Sequence, residues 1–126
     1  MSELDDATKA TQQFIADMTA AGASARLVGQ QILFDVDAVD GTLRGQTVPT
    51  GVSVSEVQSW PMVPPHWIHL PDTITFAQTN ADTTDCPPGW KRHSREFALT
   101  SMTIPPARAW LQHVRGVLSI AIAQAA

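Results

Sequence analysis

Apolar residues near the start of the chain recur at helical spacing. Leu4, Ala7, Phe14, Ile15 and Met18 fall on one stripe, which predicts a helix from Ser2 to about Ala21. Ser2 with Asp5 resembles a capping box, with Asp in place of the usual Glu. Asp5 and Asp6 suit the positive end of a helix, and Gly22 suits the residue just past its end. Beyond it the pattern changes. Arg26 to Val28 reads as a short strand turning at Gly29. Gln31-Ile32-Leu33-Phe34-Asp35-Val36-Asp37 reads as a second strand, and Asp40-Gly41 as a hairpin turn.

A third strand is expected in two pieces around Pro49 and Gly51. Its second piece, Val52-Ser53-Val54-Ser55-Glu56-Val57, alternates apolar and polar, as a strand with one buried face does. The run Trp60-Pro61-Met62-Val63-Pro64-Pro65 follows. Three prolines remove three ladder donors, so this run reads as a rigid extended turn rather than a central strand. A fourth strand is expected from about His66 to Leu70, with His66 and His69 assigned to one face of it. From Pro71 to about Met102 no regular element of length is expected, and Phe76, Trp90 and Phe97 are its expected anchors. A loop this long in a compact domain is often functional.

The C-terminal stretch is again helical. Thr103 is the expected N-cap, with Pro105 near the first helical position and Pro106 in the first turn. Trp110, Leu111, Val114, Val117, Leu118, Ala121 and Ile122 form its apolar stripe. Trp60, Trp67, Trp90 and Trp110 are all expected in the core. The resulting expectation is a single α+β domain over residues 1–126: a helix, an antiparallel meander of about four strands, a long loop and a helix.

Composition narrows the function classes. Hydrophobic residues make up 44% of the chain, enough for a core, and the net charge is -4. The Lys and Arg residues are scattered apart from Lys91-Arg92-His93 with Arg95, so no nucleic-acid or anionic-membrane surface is expected. No apolar run approaches the roughly 20 residues of a membrane span. The acidic beginning lacks the basic and apolar regions of a secretory signal. The chain has one cysteine, Cys86, and four histidines, at spacings that suit no metal site. A single cysteine forms no internal disulfide, and with no secretory signal a cytoplasmic location is expected; no cofactor is expected.

The order of elements, together with Trp60-Pro61-Met62-Val63-Pro64-Pro65, resembles the ubiquitin-conjugating enzyme (E2, UBC-like) fold. That fold carries a Tyr-Pro-x-x-Pro-Pro-type turn before its last strand and a catalytic cysteine at a spacing close to that between Pro65 and Cys86. Asn80-Ala81-Asp82 and Trp90-Lys91-Arg92-His93-Ser94-Arg95 resemble segments of the bacterial E2-like families. The resemblance implies a transferase that takes a ubiquitin-like protein from an E1-like activating enzyme as a thioester on Cys86 and passes it to an amine. Its alternative is an inactive E2-like module that binds a ubiquitin-like protein or scaffolds an E1-like partner. One departure stands out. The His-Pro-Asn tripeptide of the eukaryotic enzymes has no counterpart close before Cys86, where His69-Leu70-Pro71 lies far upstream.

The chemistry of such a site needs an exposed thiol, and Asp85-Cys86-Pro87-Pro88-Gly89 has loop composition. Asp82 and Asp85 would raise the thiol pKa, whereas Lys91, Arg92 and Arg95 would lower it if folded back. Asn80 is the candidate donor to the oxyanion of the tetrahedral intermediate. Asp82 or Asp85 is the candidate acceptor of a proton from the incoming lysine. Each residue also has a plainer reading: Cys86 as an inert loop thiol, Asn80 as a turn residue, His93 as a packing histidine. Ser94 is either a hydrogen-bonding loop residue or the carrier of an oxyester in place of Cys86.

Overall fold

The computed structural model describes residues 8–76, 80–94 and 104–124. Helix α1 spans Lys9–Ala20, with Thr8 as N-cap accepting from the Thr11 N–H. It ends at Gly22, whose φ is 103°. There the Ala23 N–H returns to the Met18 carbonyl at 2.9 Å and the Gly22 N–H to Thr19 at 3.1 Å. This is the glycine-closed helix end expected from the sequence. The proposed Ser2–Asp5 capping box, Leu4, Ala7, Phe97, Arg95 and Thr103 lie outside the described residues.

The strands β1 (Ala25–Val28), β2 (Gln31–Asp37), β3 (Thr47–Ser53) and β4 (Trp67–Pro71) form an antiparallel meander. β3 is continuous through Pro49 and Gly51, not broken around them. Val54–Val57 is a 3-10 turn rather than strand, with Ser53 Oγ accepting from the Ser55 N–H. The cap and a bond from Gln58 Nε2 to the Val54 carbonyl, 2.8 Å, outweigh the alternating pattern. The connection from β2 to β3 is a wide loop that buries Leu43, not a tight Asp40-Gly41 hairpin. Gly41, at φ 77°, packs against the backbone of Ser119 where a Cβ would collide.

The stretch after β4 is the largest departure from expectation. It folds as β5 (Ile74–Phe76), β6 (Asn80–Asp82) and β7 (Trp90–Ser94). β7 pairs with β4 along its whole length, Trp67 opposite Ser94 through Pro71 opposite Trp90. The main sheet thus has six strands in the order β1-β2-β3-β4-β7-β6. Helix α2 is Pro106–Ser119, with Pro105 at the N-cap. β8 (Ala121–Gln124) leaves it to pair with β5, so Ala121 lies beyond the helix rather than on its stripe. The architecture is α+β.

Cross-strand partners share a face, and this sorts the side chains. Ile32, Phe34, Val36, Val48, Val52, Ile68 and Leu70 point inward. They form one core with Phe14 and Met18 of α1 and Trp110, Leu111, Val114, Val117 and Leu118 of α2. Trp60 completes it beside Phe14, with ring centroids 4.9 Å apart, and donates Nε1–H to Asp17 Oδ2 at 2.9 Å. Trp67 and Trp90, expected in the core, are half-buried on the opposite, outer face. His66 precedes β4, and an odd separation from His69 cannot place both on one face of a strand.

Candidate functional site

The outer face carries an in-register row running from Leu33 through Gly51, His69 and Arg92 to Asp82. A Cβ at Gly51 would stand 2.9 Å from Leu33 Cδ2 and 3.6 Å from His69 Cβ, so the bare glycine lets both neighbours close over β3. His69 is fully buried. Its Nδ1 lies 2.7 Å from Gln31 Nε2, which makes the amide the donor and places the neutral ring's proton on Nε2. That Nε2 has no hydrogen-bond partner among the described residues. Burial first, and Arg92 second, push the His69 pKa down to about 4, so the ring is neutral at physiological pH.

Arg92 and Asp82 close the far end of the row. Nε donates to Oδ1 at 2.7 Å and Nη2 to Oδ2 at 3.4 Å. The guanidinium also lies 4.0 Å over the Trp67 ring. Asp82 Oδ1 further accepts from the Thr84 N–H at 2.9 Å, an Asx turn that starts the loop beyond β6. The hydrogen bond from Arg92, then that from Thr84, hold the Asp82 carboxyl down to about 2. A carboxylate so stabilised is a weak base at neutral pH.

Cys86 sits at the tip of this hairpin between two turns. Its N–H donates to the Thr83 carbonyl at 3.0 Å, and the Trp90 N–H donates to Pro87 at 3.2 Å. Asp85 at φ 60° closes the first turn. Pro88 followed by Gly89 at φ 89° closes the second in the manner of a type II turn. The Gly89 carbonyl accepts from the Asp72 N–H at 2.9 Å, stapling the tip to the end of β4. The thiol is half-buried. Burial raises its pKa most; Asp82 and Asp85 raise it further, against the lowering by Arg92.

The fold therefore gathers Asp82, at the end of β6, with Asp85 and Cys86 in the loop beyond it, and Arg92 is the cation that folds back. Lys91 lies on the opposite face, paired with Leu70. Asn80 starts β6 opposite Ser94; its side chain lies outside the described atoms. His93 is buried on the core side against Phe76, with centroids 4.8 Å apart, and burial followed by Lys91 lowers its pKa. Ser94 makes a hydrogen bond, as its plainer reading expects, but from a strand rather than a loop: its Oγ lies 2.6 Å from Nε2 of His66, just before β4. Nothing in the local pattern signals that pair, because the register of β7 on β4 creates it.

No family model, curated protein or solved structure matches the chain. Among the described residues no group of His, Cys, Asp or Glu is arranged to hold a metal ion, and no helix is long and apolar enough to cross a membrane.

Proposed function

We propose that the chain is a UBC-like, E2-like carrier in which Cys86 takes the C-terminal carbonyl of a ubiquitin-like protein from an E1-like enzyme. The acyl–sulfur bond to Cys86 forms as that to the activating enzyme breaks, and an amine later displaces the Cys86 thiolate. The observation that carries this reading is the presentation of the thiol. It stands between two consecutive turns at a loop tip, stapled to β4 through Asp72 and Gly89. A helix, a meander and a proline-rich turn before β4 precede it, in the order the resemblance implies.

Burial and the neighbouring carboxylates raise the thiol pKa. A thiol of high pKa is a poor leaving group, so its thioester persists until a positioned amine arrives. Asp82 is committed to Arg92, which leaves Asp85 as the carboxylate to receive the amine proton. Asn80 starts β6 opposite Ser94 rather than in the loop with Cys86.

The acidic surroundings and raised pKa also favour the second reading, an inactive module that binds a ubiquitin-like protein or an E1-like partner. Incubation with the E1-like and ubiquitin-like proteins of its own cell and ATP, followed by a non-reducing gel, separates the two. A thiol-labile adduct absent from Cys86→Ala is expected. Intact binding without any adduct would establish the second reading instead.

A further inference from the structure

A hydroxyl and an imidazole meet on the outer face at a place the thiol does not occupy. Ser94 Oγ and His66 Nε2, 28 positions apart in the chain, lie 2.6 Å from each other. Trp67 adjoins both, as the cross-strand partner of Ser94 and the chain neighbour of His66. The His66 ring stands edge-on to the Trp67 ring, with centroids 5.3 Å apart and an interplanar angle of 85°. The Arg92 guanidinium lies 4.0 Å over the Trp67 ring. The Trp67 N–H donates to Glu56 Oε1 at 3.2 Å, which fixes the start of β4. A nucleophile, a base and a cation are thus arranged around one indole.

A serine hydroxyl attacks carbonyl carbon poorly unless a base takes its proton as the new bond forms. An imidazole nitrogen at hydrogen-bond distance is placed to do so. Arg92 is the next residue of β7 on the same face as Ser94. Asp82 engages its Nε and Nη2, so Nη1 lies outside that fork. A cation fixed on the same face, two residues along β7 from Ser94, lowers the cost of negative charge on the carbonyl oxygen under attack.

We propose that Ser94, with His66 as general base, accepts acyl groups from thioesters and holds them as an oxyester. The bond between Ser94 Oγ and the acyl carbon forms while the carbon–sulfur bond of the donor breaks. The hydroxyl proton passes to His66 Nε2 and from there to the departing thiolate, which leaves as a thiol. The step is redox-neutral and makes no use of Cys86.

The test uses the full chain carrying Cys86→Ala, so that no thiol competes. It is incubated with N-acetylglycylglycine benzyl thioester and followed by intact mass spectrometry. One acyl adduct is expected, stable to neutral hydroxylamine, released by alkaline hydroxylamine and mapping to Ser94 on digestion. Adding Ser94→Ala removes it. Adding His66→Gln, with circular dichroism unchanged, slows its formation by about a hundredfold. The proposal is overturned if no adduct forms, if the adduct maps to another residue, or if His66→Gln slows it by less than about tenfold. Because the thiol is absent throughout, failure here leaves the carrier role of Cys86 standing, and failure of that role leaves this test intact.

Discussion

Arg92 and Asp82 face each other across β7 and β6, with Nε 2.7 Å from Oδ1 and the carboxylate still 45% exposed. The pair joins the edge strand to the sheet and anchors the loop that presents Cys86. Asp82 is held at about 2, below its ordinary 3.8, by Arg92 and then by the Thr84 N–H. A depressed carboxylate contributes stability above its unfolded value and loses it as pH falls through the folded one. Carbon-13 titration is expected to show Asp82 ionised down to about pH 2, with β6–β7 pairing weakening between pH 3.8 and 2. Asp82→Asn is expected to lack that acid step.

His69 governs a second acid transition, at higher pH. Its folded pKa of about 4 lies below the ordinary 6.5, chiefly because the ring is buried. The unfolded chain therefore binds a proton that the folded one resists. Stability is full above pH 6.5 and falls as pH drops towards 4. The full loss corresponds to about 3 kcal/mol. Urea unfolding at stepped pH is expected to show this slope, and His69→Gln is expected to reduce it to the part contributed by buried His93.

Cys86 is expected to be slow towards alkylating reagents at neutral pH, because burial and two carboxylates oppose the thiolate. Asp85→Asn removes one of those carboxylates and keeps a side chain that tolerates positive φ. Iodoacetamide labelling of that variant at pH 7.5 is expected to run about twofold faster. Arg92→Gln is expected to slow it, since Arg92 is the group that lowers the thiol pKa.

Phe14 and Trp60 tie α1 to the proline-rich turn. Phe14 is fully buried, and its ring meets those of Trp60 and Phe34 edge-on. Phe14→Ala is expected to cost about 3–5 kcal/mol in chemical denaturation. Trp60→Phe keeps an apolar ring but deprives Asp17 Oδ2 of its donor. Its expected cost is smaller, about 1–2 kcal/mol.

The elements that the chain specifies locally were legible in its pattern. The stripe from Trp110 to Leu118 lies on one buried face of α2. Gln31–Asp37 is β2 with its expected bounds, and Gly22 closes α1. In each case neighbouring residues carry the whole signal, through side-chain periodicity or the need for positive φ. Val54–Val57 marks the limit of that signal: its alternation suits a strand, yet Ser53 and Gln58 draw the backbone into a turn.

At the site, the sequence determined less. Cys86 between turn-forming residues, with Asp82 and Asp85 nearby, is local information, and the two turns form around it; the half-burial of its thiol, where an exposed one is expected, is not. The strand character of Trp90–Ser94, the buried Gln31–His69 contact, the Arg92–Asp82 pair and the meeting of Ser94 with His66 come from tertiary structure alone. β7 has no alternation strong enough to announce itself. It becomes a strand because β4 offers unpaired backbone groups on one side and β6 pairs on the other. Hydrogen-bond registry between distant segments is a property of the folded sheet, and it decides which side chains share a face.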